Sequence, residues 1–169
     1  EGHLFIRFLL SAVEKHFAPR EQFSRPDHLS VELFPHQQIA RRYLEQNERF
    51  ALLDGTRVGK TLCVISAIPP DWKAVVMVPA GVLEVWQEQL GDFTRGLRIE
   101  VVRGPPAERL RQLKRINQEL ASRRLKGEEN AGVVILMTIG GLREETLKDQ
   151  AEEMYQVINQ DLDLAVVDE

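Results

Sequence analysis

The sequence is poor in cysteine, with Cys63 alone among 169 residues. A single cysteine can form no internal disulfide, and it cannot supply a cysteine-based zinc cluster. The chain therefore relies on a hydrophobic core, for which its length is sufficient, and it fits a reducing compartment. Cys63 itself is expected to be a small core residue of a helix.

Long hydrophobic runs are also missing. No apolar run reaches the roughly 20 residues that a membrane-spanning helix needs. The apolar stretch from Leu4 to Val13 is short and contains Arg7. Because no small-residue cleavage pattern follows, the stretch predicts a buried helix rather than a signal peptide. We therefore expect no membrane partner, and a cytoplasmic location, or a nuclear one in a eukaryotic cell.

An excess of positive charge is absent as well. The chain has 22 Lys and Arg residues against 26 Asp and Glu residues, a net charge of -4. Any surface for nucleic acid must therefore be local. Seven of the basic residues fall between positions 105 and 126. They could contact phosphates, or they could form a solvated helix face, and the sequence leaves both interpretations open.

The chain divides into two predicted regions. Residues 1–30 are expected to form an N-terminal helix and a linker, because Pro19 and Pro26 stand among polar residues there. Residues 31–169 are expected to form the main domain. The chain begins without methionine and ends at Asp168 and Glu169, as expected of a piece of a longer protein.

Five short apolar runs predict buried strands. Most lack the polar alternation of a half-exposed strand, which is typical of a parallel sheet covered on both faces. The predicted strands are Phe50–Asp54, Ala74–Val78, Ile99–Val102, Val133–Met137 and Leu164–Asp168.

Helical patterns lie before and between these runs. Strands that alternate with helices indicate an α/β domain built from βαβ units. The predicted helices are Pro35–Glu45, Lys60–Ala67, Val82–Leu90, Ala107–Lys126 and Leu142–Asn159. In the fourth helix Leu110, Leu113, Ile116 and Leu120 share the side expected to face the sheet.

A phosphate-binding loop is the most informative motif. It follows a predicted strand and opens a predicted helix, which is the context that such a loop requires. Backbone N–H groups would face the phosphates, and Gly59 would allow a close approach. Lys60 would contact the β- and γ-phosphates, and the Thr61 hydroxyl would ligate Mg²⁺. The motif reads Asp54-Gly55-Thr56-Arg57-Val58-Gly59-Lys60-Thr61.

The loop resembles that of superfamily 2 motors, and most closely that of the Swi/Snf-like branch. That branch has Asp-Glu-Met-Gly-Leu-Gly-Lys-Thr, so Asp54 fits the resemblance, whereas the general motif has glycine there. Upstream, the segment Leu33-Phe34-Pro35-His36-Gln37 is similar to the family's Leu-Arg-Pro-Tyr-Gln element. The resemblance implies that Gln37 contacts the adenine edge, for which an amide can both donate and accept.

Three downstream segments extend the resemblance over residues 31–169. Val78 to Trp86 is similar to motif Ia, and Val134 to Thr138 is similar to motif Ib. The resemblance implies that these two motifs lie near the nucleic-acid backbone. It thereby assigns candidate contacts to Pro79, Ala80, Gly81 and Thr138. Trp86 is expected to pack between helix and sheet rather than on a base.

The segment Leu164 to Glu169 is similar to the strand of the DExx box. By this resemblance Asp168 holds Mg²⁺, usually through water, and Glu169 activates the attacking water. Taken together, these resemblances imply a RecA-like ATP-binding lobe that ends after this strand and lacks the second lobe. The implied ligands are ATP and Mg²⁺, and the implied partner is nucleic acid, with double-stranded DNA expected. Without the second lobe and its arginine finger, we expect this chain alone to hydrolyse ATP weakly or not at all.

Two residues depart from the family pattern. Arg57 stands where the loop usually has glycine, and we expect its side chain to point to solvent. Gly81 replaces a usual serine in motif Ia, which would remove a backbone-phosphate contact.

Other functions stay open. One is another P-loop enzyme, although the sequence lacks the Asn-Lys-x-Asp guanine element and the Leu-Ser-Gly-Gly element of ABC transporters. The other is a docking or regulatory module that does not hydrolyse ATP. Against it stands the complete set Lys60, Thr61, Asp168 and Glu169.

Overall fold

A computed structural model describes residues 26–53, 57–139 and 148–168. The helices are α1 (Pro35–Gln46), α2 (Lys60–Ser66), α3 (Leu83–Phe93), α4 (Pro106–Leu125) and α5 (Lys148–Asn159). The strands are β1 (Lys73–Val78), β2 (Ile99–Val102), β3 (Val133–Thr138) and β4 (Leu164–Val167). A short 3₁₀ turn, Ala80–Val82, precedes α3. The predicted helix Leu142–Asn159 is confirmed over residues 148–159, and its first residues lie outside the described part of the chain.

The four strands form one all-parallel sheet in the order β2-β3-β1-β4. Helices join successive strands, so the predicted α/β class is confirmed. In the register, Val78 of β1 pairs with Thr138 of β3, and Met77 of β1 pairs with Val167 of β4. Because the strands are parallel, the segments that follow β1, β3 and β4 lie at the same edge of the sheet.

The sheet separates two hydrophobic clusters. On one face Val76 and Leu136 pack with Ile65 of α2 and Trp86 of α3. On the other face the strands pack against α4 and α5. The predicted apolar side of α4 is confirmed, since Leu110, Leu113, Ile116 and Leu120 are all buried there. Cys63 is buried, as predicted.

The predicted strand Phe50–Asp54 is wrong over its described part. Residues 50–53 are in neither helix nor strand, and Phe50 and Leu53 are exposed. A strand needs a neighbour for its backbone N–H and C=O groups. Among the described strands β4 pairs only with β1, so no ladder reaches residues 50–53. The apolar composition alone could not supply that neighbour.

The basic side chains of α4 do not form an open cationic face. Arg109, one of the seven basic residues between positions 105 and 126, is not on a solvated face, because it is buried and donates to the carbonyl of Gly104. Lys114, Arg115, Arg123 and Arg124 pair with Glu153, Glu100, Glu128 and Asp163, respectively. These pairs favour the structural interpretation of the basic run over phosphate binding.

Residues 26–30 pack onto the main domain. Leu29 is fully buried and forms an isolated antiparallel bridge with Thr94. The segment is otherwise without helix or strand. The predicted helix around Leu4 to Val13 lies outside the described residues. Among the helices that are described, none is both long and apolar enough to cross a bilayer.

Candidate functional site

Three of the predicted motifs meet at the carboxyl edge of the sheet. Pro79 follows β1, Thr138 ends β3, and Asp168 follows β4. The backbone N–H of Asp168 donates to the carbonyl of Met77 at 2.9 Å, which holds the end of β4 beside β1. Pairing of the strands therefore brings together the segments predicted as motif Ia, motif Ib and the DExx aspartate, although they are far apart in sequence.

The candidate nucleic-acid contacts are accessible at this edge. Pro79, Ala80 and Gly81 are exposed, and Thr138 is half-buried. A Cβ atom added at Gly81 would meet nothing within 4 Å. The backbone here thus has room for a side chain such as serine.

The second half of the predicted phosphate loop is described from Arg57 onward. Gly59 has φ +82° and forms the N-cap of α2, whose first residue is Lys60. A side chain would strain this left-handed backbone, which accounts for the glycine. Lys60 and Thr61 are half-buried in the first turn. Of the predicted nucleotide-binding residues, Asp54, Gly55 and Thr56 lie outside the described residues.

Arg57 has φ +64°, in the left-handed region that favours glycine. Glycine would therefore adopt the backbone conformation of this position with less strain than arginine does. The residue is exposed, in agreement with the expectation that its side chain points to solvent. Neighbouring Val58 is exposed too, and its carbonyl lies 3.2 Å from Nε2 of His36.

The Gln37 element lies directly against the phosphate loop. A Cβ atom built on Gly59 would fall 2.3 Å from Nε2 of Gln37. The amide oxygen of Gln37 accepts a hydrogen bond from the backbone N–H of Phe34 at 3.0 Å, which caps α1. Only 3% of the surface of Gln37 is exposed, and its amide oxygen is engaged in this cap. Contact with an adenine edge would require it to leave the cap, so that role stays a prediction.

Asp168 has a partner that the sequence did not indicate. The indole N–H of Trp86 donates to Oδ2 of Asp168 at 2.7 Å. Trp86 is 3% exposed and packs in the helix–sheet cluster, as predicted for its ring. The two residues are 82 positions apart, and no local pattern predicts their contact. Glu169, the predicted water-activating residue, lies outside the described residues.

The donor chemistry at Asp168 fits a hard cation. Magnesium prefers oxygen ligands and is usually bound by one or two carboxylates together with phosphate oxygens. Trp86 occupies Oδ2, which leaves Oδ1 for a cation or its bound water. Within the described ranges, no group of three His, Cys, Asp or Glu side chains could hold a metal by itself.

Comparison with known proteins adds no family assignment, because no protein-family model and no curated protein matches the chain. The functional interpretation therefore rests on the residues and their geometry.

Replacing Arg57 by glycine should stabilise the protein. An L-residue in the left-handed region costs about 1–2 kcal/mol, whereas the greater freedom of glycine in the unfolded chain costs about 0.4–1 kcal/mol. We expect Arg57→Gly to raise the free energy of unfolding by roughly 0.5–1 kcal/mol in urea denaturation. Arg57→Ala keeps the backbone strain and should leave stability unchanged. If alanine stabilised as much as glycine, charge rather than backbone conformation would be the cause.

A change in nucleotide affinity of more than about tenfold in Arg57→Gly, about 1.4 kcal/mol, would show that the side chain does not simply point to solvent.

Proposed function

We propose that this chain is the ATP-binding lobe of a nucleic-acid-dependent ATPase. Its fold would be a RecA-like P-loop fold similar to that of Swi/Snf-like translocases and other superfamily 2 motors. The observation that carries the proposal is the contact between Gln37 and Gly59. Two motifs that the resemblance pairs at one nucleotide site are 22 positions apart in sequence, and they touch in the folded chain.

The position of Asp168 supports the same proposal. In open α/β sheets, ligands bind outside the carboxyl ends of the strands. Asp168 lies at that edge, and its partner Trp86 packs in the same hydrophobic cluster as Ile65 of α2, the helix that begins directly after Gly59. An arrangement of this kind lets a lysine at the loop and a carboxylate at the strand end serve one nucleotide.

Each residue then has a defined task. Gly59 keeps the backbone of the loop free of a side chain, so that the phosphates can approach. Lys60 binds the β- and γ-phosphates as a point charge, and Thr61 with Asp168 holds the hydrated cation. Bound Mg²⁺ would neutralise charge that develops on the phosphates during transfer. Glu169 would orient the attacking water.

The exposed segment Pro79–Gly81 and Thr138 form the proposed contact with nucleic acid, for which we propose double-stranded DNA. Backbone and hydroxyl groups of this kind contact phosphates without recognising sequence. A second RecA-like lobe is the other proposed partner, because an arginine finger from outside the chain would complete the ATPase site. A compartment reached by nucleic acid, the cytoplasm or the nucleus, follows from the proposal.

The decisive test is binding of fluorescent ATP and GTP analogues to the 169-residue chain in Mg²⁺. We expect the ATP analogue to bind and Lys60→Ala to weaken it by about 10- to 100-fold, since a charge-assisted phosphate contact is lost. The exposed residue Lys126 offers a matched control, and Lys126→Ala should bind as the wild type does. Equal affinity for the two nucleotides would remove the adenine-contacting role of Gln37. The proposed function would be overturned if Lys60→Ala bound the ATP analogue as tightly as the wild type does, or if the wild type did not bind it.

A further inference from the structure

The hydrogen bond from Trp86 to Asp168 joins two parts of the proposed machinery. Asp168 stands at the end of β4, and Trp86 lies in the second turn of α3. The indole ring is held by the hydrophobic cluster between α3 and the sheet, so its N–H has one fixed direction. A half-buried carboxylate that accepts this bond at 2.7 Å loses its rotational freedom.

From this juxtaposition, and resting on the proposed function, we propose that Trp86 is a positioning residue for the magnesium-binding carboxylate. The Trp86 N–H fixes Oδ2 of Asp168, and Oδ1 would then hold the nucleotide-bound cation. Partners of metal-binding carboxylates and imidazoles commonly set ligand orientation in this way, and their loss typically weakens metal affinity. Trp86 itself touches neither nucleotide nor metal.

The location of Trp86 gives this contact a further consequence. Helix α3 begins at Leu83, directly after the turn Ala80–Val82, of which the exposed residues Ala80 and Gly81 belong to the proposed nucleic-acid contact. The same helix that follows this contact therefore also orients Asp168. A single rigid element thus spans from the exposed surface to the cation site.

The first test compares nucleotide binding with Mg²⁺ and with EDTA. Trp86→Phe keeps an apolar ring but removes the N–H. We expect it to reduce the gain in affinity that Mg²⁺ confers by about tenfold, while binding in EDTA stays unchanged. A purely structural effect would weaken binding in both conditions equally. Trp72→Phe, at the other and more exposed tryptophan, serves as the matched control and should change neither value.

A double-mutant cycle separates action through Asp168 from other effects. Asp168→Asn should remove most of the magnesium-dependent gain, and adding Trp86→Phe to it should change the gain less than twofold, since the two groups act as a unit. If the two substitutions instead reduced the magnesium-dependent gain in affinity additively, the positioning role of Trp86 would be overturned. If the wild type shows the magnesium-dependent gain and Trp86→Phe retains it in full, the inference alone fails. If the wild type does not bind nucleotide, or binds it no more tightly than Lys60→Ala does, the proposed function fails together with the inference.

A measurement on the wild-type ring covers the case in which Trp86→Phe does not fold. The chain has two tryptophans, so an NMR spectrum contains two indole N–H signals, and Trp72→Phe assigns them. We expect the Trp86 signal to shift when Mg²⁺ is added to the nucleotide-bound chain, and to shift strongly in Asp168→Asn. An indole signal that is insensitive to both changes would overturn the proposal.

Discussion

Gly59→Ala is expected to abolish nucleotide binding and to destabilise the chain by about 2–4 kcal/mol. Two causes add. The backbone of Gly59 has φ +82°, where an L-residue costs about 1–2 kcal/mol. The new methyl group would also fall 2.3 Å from Nε2 of Gln37, a distance that real side chains do not reach. Because Gln37 is buried and caps α1, it cannot move aside without losing its hydrogen bond.

Urea denaturation and the binding assay would measure the two parts of this effect. Gly91→Ala is the matched control, because a Cβ atom at Gly91 meets nothing within 4 Å and alanine favours the helix there. In a Gln37→Ala background, Gly59→Ala should cost only about 1–2 kcal/mol, since the steric part is gone and the backbone part remains. If Gly59→Ala destabilised the Gln37→Ala variant as much as it destabilised the wild type, Gln37 would not restrict the loop.

Lys73→Ala should be the most destabilising substitution away from the site, by about 4 kcal/mol. Lys73 begins β1 and is completely buried. Its Nζ donates to the carbonyls of Val157, Ile158 and Gln160, at 3.2, 2.9 and 2.7 Å. Two of these carbonyls belong to the last turn of α5, where a helix leaves its last acceptors without backbone partners, and that of Gln160 directly follows the helix. The lysine therefore caps α5 and fastens it to the sheet.

Lys73→Met separates packing from capping. It keeps most of the buried stem, so we expect a loss of only about 2 kcal/mol, measured by chemical denaturation. A methionine variant as unstable as the alanine variant would show that the carbonyl contacts, rather than the stem, dominate. Equal stability of Lys73→Met and the wild type would show that the carbonyls do not need the ammonium group.

The stability that depends on Lys73 should change with pH. Burial lowers the pKa of Lys73 from 10.5 to about 8, although Asp161 and Asp163 oppose this effect. Between these two pKa values the unfolded chain binds more protons than the folded chain, so the free energy of unfolding rises with pH. The slope is at most about 1.4 kcal/mol per pH unit. Lys73→Met should lack this rise, and parallel pH profiles of the two proteins would contradict the lowered pKa.

The sequence predicted those parts of the fold that depend on local patterns. β2 has the predicted bounds, and β1 and β3 each differ by one residue at one end. Buried parallel strands are short apolar runs, and the helices between them have apolar residues at helical spacing, so each element is encoded in its own segment. The left-handed conformation of Gly59 is also a local feature, since it depends on the backbone of one residue.

Other features were decided by the tertiary structure alone. Residues 50–53 have the composition of a strand but pair with no described strand. The pairing partner of a strand cannot be read from the sequence of one segment. The indole of Trp86 meets Asp168 across 82 positions, and the ammonium of Lys73 meets the end of α5 across 84 to 87 positions. By itself the sequence determined the α/β alternation and the motifs of a candidate nucleotide site. Strand order and helix packing determined which polar groups meet, because hydrogen bonds between distant segments depend on a geometry that no single segment contains.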